Sequence, residues 1–555
     1  MTTPSSSPSL STGAYFLLIT LLATLWFGTL HQRKLINPDE GRYAEIPREM
    51  VASGDWLTPR LNDIKYFEKP PLQYWTTAAA YTAFGQHEWT ARLWSALCGF
   101  LGILATAFTV HRIWGKDAAL YAASVLSSSL LWIMIGHLNT LDMGVSFFLS
   151  AAIFCFILAQ QDASTASNTR RWMWLGWLML ALSILSKGLI GIALPAATLV
   201  GYSLWQRDFS IWRKLHLVSG LLLLLAVTAP WFIAVSLANP EFAHFFFIHE
   251  HFERFLTKTH DRYQPMWYFI PILLAGILPW LFSLFTMLGD ALRKNPEQRF
   301  QPQRFLLVWC VVVFCFFSVS SSKLPSYILP LFPALAALIG LHLARLSAHH
   351  PHRLIWHAAP FIILGLAALY FAPEATRFSS ARVPPSLYAG YIPWLRAAAI
   401  CLIVGALLSV LFARVQKPRP AILSLTIGGL LMSLAILLGH DNLSPANSAA
   451  HIAAKIRDQV KPDVPFFSVN AYDQSLQFYL KRPTTMVFYK DELGFGITHE
   501  PQKFIADQQS FEHAWASAPE AWALLNPDTW QMFEKAGIPM QVVARDTRRV
   551  IVKKH

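Results

Sequence analysis

Residues 37–75 read NPDEGRYAEIPREMVASGDWLTPRLNDIKYFEKPPLQYW. The stretch is crowded with ionisable side chains: Asp39, Glu40, Arg42, Glu45, Arg48, Glu49, Asp55, Asp63, Lys65, Glu68 and Lys69. It sits in a chain of 555 residues that is only 14% charged and 54% hydrophobic, with mean hydropathy +0.39. Soluble domains carry roughly a quarter charged residues, so lipid is the solvent for most of this chain. A charged island set among apolar runs reads as a large watery loop on one side of a membrane.

Working outward, a span needs roughly 20 apolar residues, and about thirteen runs approach that criterion. They lie near 14–29, 90–111, 118–135, 142–160, 172–186, 189–205, 215–235, 266–288, 305–320, 326–344, 354–371, 392–413 and 421–439. Alternate short loops are basic: Arg112 and Lys116; Arg170 and Arg171; Arg207, Arg213 and Lys214; Arg293, Lys294, Arg299 and Arg304; Arg345 and Arg353; Arg414, Lys417 and Arg419. Of the short turns between them, 136–141 carries no Lys or Arg, and the other two carry only Lys187 and Lys323. The positive-inside rule puts the basic set in the cytoplasm. The start, MTTPSSSPSLSTG, lacks a basic region, and the run after it lacks a small-residue cleavage site, so 14–29 reads as a retained first span. The N-terminus is then cytoplasmic, and an odd number of spans puts the region after about Asp441 in the periplasm. Part of the net charge of +13 is thus a topology signal.

Three periplasmic segments are long: 30–89, 236–265 and the C-terminal region. In the first, Glu40–Ser53 has helical spacing, and Pro70-Pro71 suits the opening of a second helix over Leu72–Phe84. Both are expected to lie along the interface. In the last, β-rich runs (Phe466–Val469, Met486–Tyr489, Ala523–Leu525, Gln541–Val543, Val550–Val552) alternate with helix-like ones (Ala449–Gln459, Gln474–Leu480, Phe511–Ala516, Pro527–Ala536). That pattern predicts a small α/β domain. The chain thus divides into a membrane domain, 1–440, and a periplasmic α/β domain, 441–555. Gly494-Phe495-Gly496 reads as a turn, not a phosphate loop. All five cysteines (Cys98, Cys155, Cys310, Cys315 and Cys401) fall in apolar runs without zinc-ligand spacing and read as packing residues. No repeat of roughly 20–50 residues is visible.

Candidate chemistry belongs to acids and cations of the periplasmic segments. Asp39 stands just before a helix, where it reads equally as an N-cap. Glu40 is explained as a first-turn acid facing the helix dipole. Asp142 lies between two spans with almost no loop, a costly place for an acid without a partner; the alternative is a cap for the helix from Met143. Arg42, Glu68, Lys69, Lys187, Arg254, Lys323 and Tyr327 form the candidate substrate-binding set. The bland reading of Lys187 and Lys323 is snorkelling to the interface. Together the cations suit a phosphate, with Arg as a bidentate donor and Lys as a point charge. The second loop gathers His244, His249, Glu250, His251, Glu253, Arg254 and His260 among aromatics. A divalent metal ion held by Glu68 and His249 is one reading; an amphipathic interfacial segment with solvated charges is the other.

These residues carry a family resemblance. Asp39-Glu40-Gly41-Arg42-Tyr43-Ala44-Glu45-Ile46, Ser53-Gly54-Asp55-Trp56 and Tyr66-Phe67-Glu68-Lys69-Pro70 resemble bacterial 4-amino-4-deoxy-L-arabinose transferases that modify lipid A. Leu141-Asp142, Ser186-Lys187-Gly188, His251-Phe252-Glu253-Arg254-Phe255 and Lys323-Leu324-Pro325-Ser326-Tyr327-Ile328-Leu329 extend the likeness through the membrane region in order. It implies a mainly α membrane glycosyltransferase of GT-C type with a catalytic acid early in the first loop, here Asp39. It implies undecaprenyl-phosphate-linked aminoarabinose as donor, a lipid A phosphate as acceptor and polymyxin resistance as outcome. No cofactor is required by such a donor. Asp142 joins Asp39 as a catalytic candidate, and these acids and cations are expected to meet in one wet pocket.

Two other readings follow from the sequence. One is the same chemistry on another substrate, as in a protein O-mannosyltransferase. The other is a lipid flippase or transporter, which predicts ionisable residues near mid-span; here the standout charges gather at one membrane face. Nucleic-acid binding is disfavoured, since the cations divide between two membrane faces.

Overall fold

The computed structural model describes residues 11–253 and 264–554, with side chains left undescribed at 250–253. Contacts divide the chain into two compact units. One comprises Met1–Thr29, Trp94–Tyr370 and Trp394–Leu437; the other comprises Leu30–Leu93, Phe371–Pro393 and Leu438–His555. The first loop and the C-terminal region, more than 350 residues apart in sequence, therefore share a unit.

The first unit is helical, because apolar segments in lipid must satisfy every backbone group internally. Among the described residues eight helices are long and apolar enough to cross a membrane, or up to ten if each of two bent pairs is one span. Two shorter apolar helices, Thr12–Gly28 and Ile190–Gln206, accompany them, as does Ala166–Lys187, whose first turns carry Arg170 and Arg171. The bent pairs are Lys116–Ser128 with Leu130–Gly136, at 63°, and Met266–Gly276 with Leu281–Leu292, at 105°. A break exposes backbone polar groups that lipid cannot satisfy. Here the two breaks meet: the Leu130 N–H donates to the Leu278 carbonyl at 3.3 Å, and between their side chains Trp280 Nε1 donates to Ser128 Oγ at 2.9 Å.

Helix pairs elsewhere approach through small residues, as expected where lipid supplies no hydrophobic drive between helices. A Cβ on Gly340 of helix Phe332–His349 would stand 2.6 Å from the Ala122 nitrogen of helix Lys116–Ser128. Trp26 fills the complementary case. Its ring packs 4.6 Å from His137 and its Nε1 donates to the Ala96 carbonyl at 2.8 Å.

The second unit holds a six-stranded sheet in the order β5-β4-β3-β6-β8-β7. Its strands are β3 (Phe466–Val469), β4 (Thr485–Val487), β5 (Phe504–Ile505), β6 (Trp522–Leu525), β7 (Gln541–Arg545) and β8 (Val550–Lys553). β3 runs parallel to β4 and β6, and β8 antiparallel to β6 and β7. Both faces of β3 are covered, so all four of its residues are buried, Ser468 included, whose hydroxyl bonds that of Thr484. Phe467 and Val469 pack with Phe511, Trp515 and Phe533; Phe466 packs with Ile452, Ile456, Leu476 and Trp522. Gly494-Phe495-Gly496 opens the short helix Gly494–His499 and is not a turn; a Cβ on Gly496 would meet the Lys65 carbonyl at 2.3 Å.

The first-loop part contributes helices Asp39–Ser53 and Leu72–Phe84, matching the expected helices to within a residue. Between them lies a hairpin that periodicity does not reveal: β1 (Arg60–Leu61) and β2 (Ile64–Lys65). Asn62 and Asp63 turn it with φ of 58° and 61°, a conformation these side chains tolerate. The Asn62 amide then exchanges two hydrogen bonds of 2.7 Å with the Thr484 backbone.

One ion pair underlies this unit. Arg92 is fully buried. Its Nε and one terminal nitrogen grip the Glu40 carboxylate at 2.7 and 2.9 Å, and the carbonyls of Leu30, Arg33 and Lys34 take the remaining donors. Glu40 is thus far more than a first-turn acid. Removing one partner of such a pair strands a buried charge. Glu40→Ala is expected to destabilise the protein by about 3–5 kcal/mol, seen as a lowered thermal midpoint in detergent; an unchanged midpoint contradicts the assignment.

Candidate active site

The Asp39–Ser53 helix brings the first acid into place. Its N-cap is Pro38, with no side-chain cap, so Asp39 does not serve as one. Its Oδ1 instead accepts from Arg42 at 3.0 Å, one turn along. The Asp39 side chain is 40% exposed and that of Arg42 only 8%. The buried guanidinium turns its other terminal nitrogen to Glu492 Oε2 at 2.5 Å. Glu492 also accepts from the Gln474 amide. Burial opposes the Arg42 charge, but the Tyr66, Glu492, Tyr43 and Asp39 side chains outweigh it and keep its pKa well above the ordinary value. Burial raises the Glu492 carboxyl; Arg42 opposes that rise and Glu68 adds to it.

Tyrosines complete this cluster. The hydroxyls of Tyr66, Tyr74 and Tyr472 are buried and have no hydrogen-bond partner among the described residues. Burial drives all three pKa values far up, and Glu492 adds to the rise, so each stays a neutral hydroxyl. Tyr43 stacks on Tyr74 with ring centres 6.3 Å apart. Glu68 and Lys69 are partly buried, the Lys69 ammonium donating to the Glu68 carbonyl at 2.8 Å and lying 3.8 Å from its carboxylate.

The other unit builds its own cluster at the start of helix Leu141–Gln160. That helix is preceded by Thr140 and has no side-chain cap. Asp142 pairs through Oδ1 with the Lys187 ammonium, at the end of helix Ala166–Lys187, and accepts through Oδ2 from Ser326 Oγ at 2.7 Å. Lys187 lies over the Tyr327 ring, 4.4 Å from its centre. Lys187 is therefore tied to an acid and an aromatic face, beyond what snorkelling explains. Lys323 is buried and donates to the carbonyls of Ser320 and Gln264, the latter at 2.8 Å. An ammonium has three donors, and among the described residues these two carbonyls take two of them.

The sequence candidates thus assemble as two clusters, each inside its own unit: Asp39, Arg42, Glu68 and Lys69 in one, Asp142, Lys187, Lys323 and Tyr327 in the other. Arg254 lies outside the described residues, as do His260 and the side chains of His251 and Glu253. His249 is described and stacks 5.2 Å from Phe245. Among the described residues no group of three or more His, Cys, Asp or Glu can hold a metal ion. The Glu68–His249 metal reading therefore gains no ligand set from this geometry. Sequence reasoning passed over Glu492, Gln474 and Ser326. Ser326 lay inside a quoted motif, but Glu492 had no local signal, being 450 residues from Arg42.

Chemically, each cluster offers an acid held by a cation beside hydroxyl donors. That combination can steady a positive sugar centre with carboxylate and a phosphate with ammonium, guanidinium and hydroxyl.

Known proteins share this arrangement of chain. Residues 452–554 match the aminoarabinose transferase C-terminal domain family, and residues 11–246 the dolichyl-phosphate-mannose-protein mannosyltransferase family. An undecaprenyl phosphate-alpha-4-amino-4-deoxy-L-arabinose arabinosyl transferase of Erwinia tasmaniensis is 34% identical over 408 residues, 71% of this chain and 72% of that protein. Its namesake from Shewanella sediminis is 30% identical, over 87% and 88% of the two chains. The crystal structure of ArnT from Cupriavidus metallidurans bound to undecaprenyl phosphate superposes with a TM-score of 0.93 at 39% identity, covering 98% of each chain. An archaeal oligosaccharyltransferase of Archaeoglobus fulgidus, 14% identical with a TM-score of 0.52 over 93% of this chain and 69% of its own, shares the fold alone. From its first helix to its last strand, the chain belongs to the undecaprenyl phosphate-aminoarabinose arabinosyl transferase family of membrane glycosyltransferases.

Proposed function

We propose that this protein moves 4-amino-4-deoxy-L-arabinose from undecaprenyl phosphate to a phosphate of lipid A at the periplasmic face of the inner membrane. The product is a less anionic outer surface that binds polymyxin and other cationic peptides less well. The observation that carries this reading is the match, over 98% of both chains, to an ArnT bound to undecaprenyl phosphate. In this reading all thirteen apolar segments cross the bilayer, the N-terminus is cytoplasmic and the C-terminal region periplasmic, as the basic loops require.

The donor carries its own driving force, since its lipid phosphate leaves, and no nucleotide is needed. Transfer passes through an oxocarbenium-like state. Asp39, exposed at one edge and fixed by Arg42, faces the developing positive charge or orients the acceptor. Lys69, Arg254 and Lys323 are the cations proposed for phosphate. Asp142 holds Lys187 against Tyr327 and acts by positioning that ammonium. The match of residues 11–246 to protein mannosyltransferases supports a second reading, the same chemistry on a protein hydroxyl.

Purified protein supplied with lipid-linked aminoarabinose and a lipid A precursor is expected to yield a lipid A species heavier by one aminosugar in mass spectrometry. Transfer only to a protein acceptor, or from another lipid-linked sugar, selects the second reading. Asp39→Asn is expected to stay folded and lose at least about a hundredfold in turnover, the scale of a missing catalytic acid or base; turnover at the normal rate ends its catalytic assignment. Asp142→Ala and Lys187→Ala should each reduce turnover, and because they act as a pair their combination should fall little further than the worse single variant. Full additivity would separate their roles.

A further inference from the structure

The C-terminal region lies far along the chain from every motif of the first loop, yet it supplies the second carboxylate on Arg42. We propose that Glu492 is a positioning residue for the transfer, acting through Arg42 on Asp39, so that the C-terminal region is a working part of the catalytic apparatus. This rests on the reading of Asp39 as the reacting acid.

The geometry is continuous. Arg42 spans two carboxylates, Asp39 Oδ1 at 3.0 Å and Glu492 Oε2 at 2.5 Å. A guanidinium held at one end only swings about its last bonds; held at both, its plane and its distance to Asp39 are fixed. Glu492 is itself fixed, by the Gln474 amide on its other oxygen. Gln474 opens helix Gln474–Leu480, and its backbone N–H donates to Asn37 Oδ1 at 3.1 Å, two residues ahead of Asp39. The Asn37 N–H in turn donates to the Asn447 carbonyl at 2.8 Å. Gly41 closes the contact, since a Cβ there would stand 2.5 Å from the Ser475 nitrogen. The segment bearing Asp39 is thus held on both sides by residues from 447 to 492.

Packing alone does not account for Glu492. Its side chain is 10% exposed and that of Arg42 8%, and an apolar pair would fill such a position without two desolvated charges. The charge is instead turned toward the one guanidinium that also holds the most exposed acid of the cluster.

The test uses the full-length enzyme in detergent, with lipid-linked aminoarabinose and lipid A precursor. Glu492→Gln keeps the side chain's shape and its amide neighbour while removing the charge. It is expected to retain the thermal midpoint and the donor KM while kcat falls roughly tenfold or more, since small displacements of reacting groups are costly. Glu492→Asp should restore part of the loss. The double variant Arg42→Ala with Glu492→Gln should be no slower than Arg42→Ala alone, because both act through one contact. Glu492→Gln with unchanged kcat, or a loss that adds in full to that of Arg42→Ala, overturns the proposal. Asp39→Asn run alongside separates the two failures. If it retains turnover, the reading of Asp39 falls; if it is inactive while Glu492→Gln is normal, only the role of Glu492 falls.

Discussion

A buried charge persists only with a partner, because leaving it unpaired in a medium of low dielectric costs several kcal/mol. Around this constraint the conspicuous ionisable residues of the chain are arranged. Glu40 meets Arg92, Arg42 meets Asp39 and Glu492, and Asp142 meets Lys187. Away from these clusters, Asp290 takes both Arg345 and His342. Among these pairs the degree of burial differs. Glu40 and Arg92 are sealed from solvent, whereas Asp39 keeps an open edge. A sealed pair can hold a fold together; an open one can also meet a substrate.

The backbone obeys the same rule as the side chains. Two helices of the membrane unit are broken within apolar segments, which would be prohibitive if the freed groups faced lipid. One such pair meets instead, the Leu130 N–H on the Leu278 carbonyl, and the Trp280 and Ser128 side chains bond beside it. The bend therefore costs no unsatisfied donor at these positions. Close helix contact, as at Gly340 against Ala122, replaces the hydrophobic drive that lipid does not provide.

Local signals in the sequence were legible because each is written within a few residues. Helical spacing marked Asp39–Ser53, apolar runs marked the helices of the membrane unit, and short β-rich runs marked β3, β6 and β8. The motifs of the first loop supplied Asp39, Arg42, Glu68 and Lys69, and family likeness gave them roles. What stayed hidden was pairing between distant residues. Periodicity says which face of a helix is apolar, not which carboxylate 52 or 450 positions away will meet an arginine. Glu40 therefore passed for a dipole partner, and Glu492 drew no reading at all. The hairpin at Asn62 and Asp63 was missed because its strands are two residues each, too short for alternation to register. Gly494–Gly496 misled for the opposite reason: Gly496 allows close packing on Lys65, and the segment opens a helix and does not make a turn.

The nature of the acceptor bears on what Asp39 must do in the proposed reaction. A hydroxyl acceptor arrives protonated and needs a base to become a nucleophile. A phosphate monoester loses its second proton with a pKa of about 6, so near neutral pH it arrives already anionic. Two anions, the acceptor and the departing lipid phosphate, then flank a sugar centre that is becoming positive. What such a site lacks is not a base but order: cations that hold the two phosphates apart and in line, and a fixed carboxylate that favours positive charge at the anomeric carbon over elsewhere. An acid clamped by a guanidinium that is itself clamped by a second acid suits that task, since its value lies in where it points. The same acid in a relative with a hydroxyl acceptor would have a proton to remove. One motif can therefore serve both chemistries, and for that reason the Asp39 motif identifies the class of transfer more securely than it identifies the acceptor.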